Sequence, residues 1–310
     1  MRDHLRTIVA GVAALSPHDP ALAPSIRLAE RTGAALHLVH VYAAEDAHDW
    51  HFARGVPGLG PQAQLLSNVL ALSTGESIRV VALPGKAAEV LPHYAAEAGA
   101  DLLVLGTARL AGAAGAVLGT TAPRVLRAST VPVLVLHGPD PWLAPRRVLV
   151  PTDLSEHSAG VLPVATRLAA ALAAPATPEF WPVFVEVPDL EPEGAEVAAA
   201  RRSYAETELA DFLSGVPALE GVPALVRTGH PSKEICAAAH DWGADLIVLG
   251  THGRRGIPRF FLGSVAERVL RHAPCNALVI PPQAAGHAAE LWGDSGVAHP
   301  AALARGGRLP

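Results

Sequence analysis

The segment DLIVLGTHGRRGIPRFFLGSVAERVLRHA, residues 245–273, contains the pattern that decides the fold. After its first residue comes a continuous apolar run, which predicts a buried β-strand, and its last ten residues have the apolar spacing of an amphipathic helix. A glycine-rich stretch joins the two. A strand, a glycine-rich loop and a helix amino terminus in this order can hold a phosphate group, and they can also form only a long turn.

Much of this segment occurs twice in the chain. DLLVLGT at 101–107 returns as DLIVLGT at 245–251, which is 144 residues later. RVLR at 124–127 returns at the same offset, and near the front RLA at 27–29 returns 140 residues later. A fixed offset over this many positions is the signature of an internal repeat. The chain is therefore predicted to be a duplicated domain of roughly 140 residues.

The repeat sets the expected domain boundaries. The first domain is predicted at residues 1–138 and the second at 145–283, joined by the Pro-rich sequence HGPDPWLAPRR. Residues 284–310 are rich in Gly, Ala and Pro and have no periodicity, which predicts a disordered tail.

Composition and charge exclude several classes of protein. Half of the 310 residues are apolar and the net charge is −5, which argues against a broad nucleic-acid surface. No stretch approaches the roughly 18 uninterrupted apolar residues that a membrane span needs. The amino terminus is predicted to be a first strand and not a signal peptide. The two cysteines are too few for a disulfide framework and are not in a CxxC pair, which favours a reducing compartment. Together with the lack of a membrane span, this leads us to expect a cytoplasmic protein without membrane association.

Apolar strands alternate with helices in both copies, which predicts a parallel sheet covered by helices on both faces. In the second copy, one helix is predicted to start on Ser232, a good N-cap residue, and to stop at Gly243. Ligands of such sheets bind at the carboxyl ends of the strands, where the strand order reverses. The two strand ends of interest carry Pro-Thr-Asp at 151–153 and Gly-Thr-His-Gly at 250–253.

The spacing of Gly250 and Gly253, nine further residues, and then Gly263-Ser264 resembles the G-x2-G-x9-G-[S/T] signature of the universal stress protein family. VPTDLS at 150–155 is similar to that family's first-strand motif. The resemblance covers nearly all of residues 1–283. It implies two tandem α/β domains, each a doubly wound five-stranded parallel sheet of the adenine nucleotide alpha hydrolase-like type. It also implies ATP binding wherever the glycine motif is intact.

The resemblance implies a set of nucleotide-binding residues in the second copy. Asp153 would contact the adenine or the ribose, Val187 at the end of the second strand would sandwich the purine with Leu249, and Val265 would offer its backbone N–H to phosphates. The complete set is Pro151, Thr152, Asp153, Val187, Leu249, Gly250, Gly253, Gly263, Ser264 and Val265.

The residues themselves support a phosphate cradle. Glycines let the backbone approach a ligand and adopt φ > 0 where needed, and the free N–H groups at a helix start suit phosphate oxygens. The alternative is that the glycines form only a turn and a helix cap. Arg254, Arg255 and Arg259 are compatible with phosphate contacts and with a solvated loop face, and sequence alone does not choose between these roles.

The first copy departs from the motif. Its segment GTARLAGAAGAVLGT, residues 106–120, keeps the spacing but has Arg109 in place of the second glycine. Ala13 stands at the position of Asp153, and Asp19, six residues further on, is not expected to substitute for it. We therefore predict that the first domain binds nucleotide weakly or not at all, and that it pairs with the second domain as a pseudo-dimer within the chain.

Catalytic and metal chemistry are not expected. The sequence contains no GxxxxGK[ST] or GxSxG motif, and Cys275 near His272 is interpreted as part of a helix-to-strand junction. The His-rich stretch 37–51 is interpreted as a strand followed by a solvated loop, without a metal site. No residue stands out as a general base or nucleophile, so the chain is not expected to be an enzyme, although slow ATP hydrolysis stays open.

The sequence thus predicts an ATP-binding regulatory protein of the stress response. ATP is the expected ligand, with Mg²⁺ as an optional companion ion, while ADP, AMP and a cyclic dinucleotide remain alternatives. Pairing of two chains into a homodimer is left open, and no nucleic-acid partner is expected. The second hypothesis is a nucleotide-independent protein-interaction module of the same fold. A third, an enzyme that adenylates a substrate, would need a reactive group near the phosphates.

Overall fold

The computed structural model describes seven stretches of the 310-residue chain. They are residues 5–13, 18–43, 77–107, 119–137, 144–188, 194–251 and 262–284. Within them the chain divides into two compact units, with the boundary between Ala144 and Pro145.

The described part of the first unit contains a parallel sheet in the order β3-β2-β1-β4-β5. Its strands are β1 (Thr7–Val12), β2 (Ala35–Tyr42), β3 (Ile78–Pro84), β4 (Leu102–Thr107) and β5 (Val133–His137). Its helices are α1 (Leu22–Thr32), α2 (Ala87–Glu97) and α3 (Thr121–Ala128).

The second unit has the equivalent parallel order, β8-β7-β6-β9-β10. Its strands are β6 (Arg147–Thr152), β7 (Glu179–Glu186), β8 (Leu225–Thr228), β9 (Leu246–Gly250) and β10 (Asn276–Ile280). The helices described in it are α4 (Glu156–Ala173), α5 (Ala195–Leu213), α6 (Pro231–Trp242) and α7 (Ser264–His272). The predicted fold of two tandem doubly wound α/β domains is confirmed.

The central strands are buried on both faces. Val148, Leu149 and Val150 of β6 are consecutive and are all 0% exposed. Successive side chains of a strand point to opposite faces, so burial of three in a row requires cover on both sides of the sheet. This is why the sequence of β6 is a continuous apolar run and not an alternating one.

Helix α7 shows the matching helical pattern. Its buried residues, Ala266, Val269 and Leu270, recur at intervals of three and four and form one apolar stripe. Full burial of each of the two larger side chains contributes about 1.5–3 kcal/mol. The stripe therefore fixes which face of α7 turns inward, and with it the position of the helix start.

The Asp that opens the repeated strand has the same structural role in both units. Asp101 Oδ2 accepts hydrogen bonds from the backbone N–H groups of Arg6 and Thr7, at 2.7 and 2.9 Å. Asp245 Oδ2 accepts the equivalent pair from two consecutive residues at the start of β6, at 2.8 and 2.9 Å. Each carboxylate ties the first strand of its unit to the fourth. The sequence had marked these residues only as part of the repeat.

A repeated glycine also has one role in both units. Gly85 follows β3 with φ +133°, and Gly229 follows β8 with φ +150°. Their N–H groups donate to the carbonyl oxygens of Tyr42 and Glu186 respectively, both at 2.9 Å. Glycine is favoured at both positions because side chains rarely tolerate this backbone region. The repeat extends from sequence to hydrogen bonding.

One predicted helix start is wrong. Helix α6 begins at Pro231, with His230 as its N-cap, and Ser232 is the second helical residue. Proline is favoured at the first helical position because its missing N–H would be unpaired there. Ser232 instead places its Oγ 3.1 Å from Nδ1 of His230. The predicted stop is confirmed, since Gly243 has φ +67°.

In the parts of the chain that the structure describes, no helix combines the length and the hydropathy that a membrane crossing requires. The prediction of a disordered tail falls, apart from Ala284, outside the described residues.

Candidate functional site

The strand order of the second unit contains a switch point. The chain continues from β6 to β7 on one side, whereas β9 and β10 lie on the other side of β6. Because β6 and β9 are adjacent and parallel, their carboxyl ends meet at one edge of the sheet. The residues at this edge are Thr152, which ends β6, with Asp153 after it, and Gly250, which ends β9, with Thr251 after it. Ligands of α/β sheets bind at such points.

The end of β6 is a tight turn. Pro151 is half-buried, Thr152 is buried, and Asp153 is half-buried. Leu154 has φ +60°, an uncommon conformation for a residue other than glycine. Its N–H donates to Oγ1 of Thr152 at 3.1 Å. The turn carries the chain from the strand into α4 while leaving Asp153 at the edge of the sheet.

Two serines, Ser155 and Ser158, hold Asp153. Asp153 Oδ1 accepts hydrogen bonds from the N–H of Ser155 at 3.1 Å, from its Oγ at 2.6 Å, and from Ser158 Oγ at 2.6 Å. Ser155 is also the N-cap of α4 and accepts the N–H of Ser158 at 3.2 Å. A serine before a helix with a second serine three residues later is the signal that could have identified them.

The β9 side of the edge is formed by buried backbone. Leu249 is 5% exposed and Thr251 is 4% exposed. Gly250 is the last residue of β9 and pairs with Ile280 of β10, so it lies in extended strand. It does not form a left-handed turn at this position.

Helix α7 begins beside this strand end. Gly263 is its N-cap, with φ −57° and ψ 145°, and its N–H donates to the carbonyl oxygen of Thr251 at 2.7 Å. A side chain at Gly263 would place its Cβ 3.2 Å from that same oxygen. Ser264 is exposed and Val265 is half-buried in the first turn. The first N–H groups of a helix have no intrahelical acceptor, so this end presents donors and a partial positive charge.

Val187 lies one residue beyond the end of β7. The residue is 65% exposed. The sequence predicted it to end the strand and to face a purine.

Several residues of the predicted motif lie outside the described part of the chain. They are the predicted site residue Gly253 together with His252, Arg254, Arg255 and Arg259. Arg109 of the first copy lies outside it too.

The first unit has an acid, Asp19, close to the end of its own first strand. Asp19 is 4% exposed, and its Oδ2 accepts the N–H of Ala13 at 3.0 Å. Its Oδ1 accepts the N–H of Ala21 at 2.9 Å. The carboxylate of Asp19 therefore lies against the backbone of Ala13, the residue at the sequence position of Asp153. Both of its oxygens bond the protein's own backbone, which gives Asp19 a structural role.

The same segment covers the strand end in the first unit. A Cβ on Gly106, the counterpart of Gly250, would lie 2.6 Å from Cγ of Pro20 and 2.8 Å from the backbone nitrogen of Ala21. Helix α1 begins at Leu22, so this contact comes from the residues just before the helix. The chain itself thus lies against the glycine that would approach a ligand.

The two cysteines are unreactive by environment. Burial raises the pKa of the Cys236 thiol to about 11. Burial, followed by the nearby charges of Asp245 and Cys236, raises the pKa of Cys275 to about 12. Nucleophilic cysteines need a lowered pKa, so these thiols have the opposite character.

Comparison with known proteins relates the chain to one group. A universal stress protein of Synechocystis is 42% identical over 55 residues, which is 18% of this chain and 36% of that relative. A universal stress protein of Thermus aquaticus is 39% identical over 99 residues, which is 30% of this chain and 69% of the relative. The first match therefore spans about a third of that relative's length.

Solved structures show the same fold over most of the chain. A universal stress protein of Pseudomonas aeruginosa superposes with a TM-score of 0.65 at 21% identity, covering 93% of this chain and 98% of the other. One from Archaeoglobus fulgidus gives a TM-score of 0.57 at 17% identity, covering 90% and 98%. The sequence model of the Universal stress protein family matches residues 4–137 and again 145–281. The chain therefore belongs to the universal stress protein family, as a member with two tandem domains.

Proposed function

We propose that this chain is a cytoplasmic regulatory protein that binds one adenine nucleotide, ATP, in its second domain. Binding is a sensing event that shifts the protein between states, and not the first step of a chemical reaction. The first domain does not take up nucleotide.

The proposal rests on one observation: a hydrogen-bond acceptor and the start of a helix, which offers hydrogen-bond donors, lie at the same switch point. The end of β6 supplies the carboxylate of Asp153, and the end of β9 leads to the start of α7 at Gly263. An acceptor on one side and a set of N–H donors on the other match the two ends of a nucleotide. The location matches the place where α/β sheets bind ligands.

Charge fixes the direction in which the nucleotide lies. Phosphate oxygens are attracted to the amino terminus of α7, where Ser264 and Val265 offer backbone N–H groups and Ser264 adds a hydroxyl. The carboxylate of Asp153 repels phosphates and accepts hydrogen bonds from the nucleoside. We therefore place the nucleoside beside β6 and the phosphates on α7, with Mg²⁺ as an optional ligand of the phosphates.

The base is placed against the apolar residues at the same edge. Val187, one residue beyond β7, is 65% exposed, and Pro151 is half-buried at the end of β6. A purine stacked here would cover Val187, and each Å² of apolar surface removed from water contributes about 25 cal/mol. Leu249 was predicted to sandwich the purine with Val187, but it is only 5% exposed, so Val187 offers the larger contact.

In the first domain, the chain itself lies against the corresponding strand end. Pro20 and Ala21 lie against Gly106, and the carboxylate of Asp19 bonds two backbone N–H groups. Nucleotide binding there would have to displace this segment and leave the N–H groups of Ala13 and Ala21 to find new acceptors, which costs free energy.

A second candidate is a protein-interaction module that does not depend on nucleotide. It is favoured by one face of α5, where Val197 is 59% exposed and Tyr204, two turns later, is 62% exposed. The nucleotide released from denatured, freshly purified protein discriminates between the two functions. Adenine nucleotide close to one equivalent per chain favours the first, and protein that carries none and binds none favours the second.

Calorimetric titration of the full-length chain with ATP tests the proposal. We expect one site per chain, a large loss of affinity in Asp153→Ala, and unchanged affinity in Asp211→Ala, which removes an exposed carboxylate from α5. Circular dichroism of each variant checks that the fold is retained. Chromatography of the titrated sample should show ATP still intact.

The absence of heat at millimolar ATP would refute nucleotide binding. Equal loss of ATP affinity in Asp153→Ala and Asp211→Ala would refute the assignment of the site to Asp153, but not ATP binding itself. Multiple turnovers of ATP during the titration would refute the claim that binding is not coupled to catalysis.

A further inference from the structure

The amino-terminal half of helix α5 contributes no buried residue to its unit. The buried residues of this helix recur at intervals of four and lie in its carboxyl-terminal half: Ala205, Leu209 and Leu213. From Ala195 to Tyr204 every residue is exposed except Ala198 and Arg201, which are half-buried. This half of the helix therefore presents its side chains to solvent, although some of them are large and apolar.

Three apolar residues line one exposed side of that half. Val197, Ala200 and Tyr204 recur at intervals of three and four, so they form one row along the helix. Val197 is 59% exposed and Tyr204 is 62% exposed. Single apolar residues are common on protein surfaces, but a row at helical spacing is the arrangement through which a helix binds an apolar partner. We call these three residues the α5 stripe.

Carboxylates flank the α5 stripe at both ends. Glu196 lies four residues before Ala200, and Glu208 lies four residues after Tyr204, so each adjoins the row, and both are exposed. Glu208 accepts a hydrogen bond from the Tyr204 hydroxyl, and this bond, together with the charge of the carboxylate, raises the pKa of that hydroxyl. A partner that covers the stripe therefore meets negative charge at either end.

The two cations of α5 are already engaged. Arg201 Nε donates to Glu186 Oε1 at 2.9 Å, and Arg202 Nε donates to Glu206 Oε1 at 3.1 Å. Within the part of the chain that the structure describes, neither Glu196 nor Glu208 belongs to an ion pair. The stripe and its two carboxylates are thus complementary to an apolar surface that carries positive charge.

Charge also decides among the possible occupants of the stripe. Nucleic acid and an anionic membrane are repelled by Glu196 and Glu208. A second copy of this chain would set the same two carboxylates against themselves and would bring only arginines that already have partners, Arg201 and Arg202. A segment with apolar residues and free Lys or Arg side chains matches both features.

We propose that the α5 stripe binds a basic amphipathic helix of a partner protein. The apolar side of that helix covers Val197 and Tyr204, and its Lys or Arg side chains lie against Glu196 and Glu208. The proposal goes beyond the nucleotide site and does not depend on it, because it uses only residues of α5.

Fluorescence anisotropy of a labelled synthetic peptide mixed with the full-length chain tests the proposal. The peptide is about four helical turns long, with Leu at intervals of three and four and Lys on either side of that row. We expect a Kd of about 10–100 μM, as suits the small interface of one helix face. A peptide with Glu in place of Lys, and one with Ser in place of Leu, should each bind at least about tenfold more weakly.

Two exposed apolar side chains are removed in the first variant. Val197→Ser combined with Tyr204→Ala should weaken binding of the basic peptide about tenfold or more, which is the size expected for the loss of an interface anchor. Because both residues are exposed, the fold should be retained, and circular dichroism checks this.

A matched pair of variants separates the local charge from the net charge. Glu196→Gln with Glu208→Gln should weaken binding of the basic peptide about 3- to 10-fold. Glu89→Gln with Glu97→Gln removes the same charge from exposed positions of α2 and should leave the Kd unchanged.

Equal weakening by the two charge variants would overturn the proposal, because binding would then follow net charge alone. A parental Kd in the variant without Val197 and Tyr204 would also overturn it, as would no binding of the basic peptide at millimolar concentration. A dimer in sedimentation that this variant abolishes would assign the stripe to a second copy instead. Binding to vesicles of phosphatidylcholine and phosphatidylserine that the same variant abolishes would assign it to a lipid surface, which equally contradicts the proposal.

Discussion

Replacing Gly263 by Val perturbs the phosphate end of the proposed site at one defined point. The backbone angles of Gly263, φ −57° and ψ 145°, are open to valine, so the substitution adds volume without a forbidden conformation. The new Cβ would lie 3.2 Å from the carbonyl oxygen of Thr251, which also accepts the N–H of Gly263 at 2.7 Å. This oxygen belongs to the backbone of a buried residue and cannot rotate away. The start of α7 has to move instead.

The expected effect on binding exceeds the effect on stability. Displacing the first turn and covering it with methyl groups weakens two hydrogen bonds to phosphate, at about 1.5 kcal/mol each. The sum of about 3 kcal/mol corresponds to roughly a 100-fold increase in Kd for ATP. Valine is a poor N-cap, so the free energy of unfolding falls by only about 1 kcal/mol.

Calorimetry with ATP gives the affinity, and thermal unfolding monitored by circular dichroism gives the stability. Gly119→Val is the matched control, because Gly119 holds the same place in the first copy and a Cβ there meets nothing within 4 Å. A Kd for Gly263→Val within threefold of the parent value, in a folded protein, would refute the phosphate cradle. Equal weakening by Gly119→Val would show that the effect is not local.

Three further predictions follow from the paired units and the buried thiols. Asp101→Ala leaves two backbone N–H groups without their acceptor in a buried setting, so it should lower the free energy of unfolding by about 2–3 kcal/mol. Its counterpart Asp245 is exposed, so Asp245→Ala should lower that free energy by only about 1 kcal/mol. Urea denaturation measures both values, and the reverse order would contradict the equivalence of their roles. Gly106→Ala places a methyl group against Pro20 and the backbone of Ala21, so it should destabilise the protein by about 1–3 kcal/mol and leave ATP affinity unchanged; a weaker affinity would mean that the first domain contributes to binding. Cys236 and Cys275, with pKa values raised to about 11 and about 12, should react with iodoacetamide at rates that rise about tenfold per pH unit from pH 7 to 10, since the thiolate fraction grows without levelling in that range. A plateau near pH 9 in the native protein would contradict burial, and urea should abolish the difference from a free thiol.

The fold could be predicted because its signals are local and repeated. Continuous apolar runs such as the one from Val148 to Val150 identify strands covered on both faces. The offset of 144 residues between DLLVLGT and DLIVLGT then identifies a second copy of the same sheet. Burial and backbone geometry require these residue patterns, so the patterns can be recognised in the sequence.

The contacts of the site depend on turns that pattern alone does not specify. Asp19 is six residues from Ala13 in sequence, yet its carboxylate accepts that residue's N–H at 3.0 Å. The bonds from Ser155 and Ser158 to Asp153 depend on the φ of +60° at Leu154, which no preference of leucine would predict. The helix start at Pro231 was missed because a serine cap and a proline first residue compete for adjacent positions.

Native mass spectrometry of the full-length chain with ATP tests most directly the claim that one of the two domains binds nucleotide. The spectrum should saturate with one nucleotide per chain, and Asp153→Ala should remove that adduct while Asp211→Ala keeps it. Two nucleotides per chain at saturation, or one that persists in Asp153→Ala, would contradict the assignment of the site to the second domain.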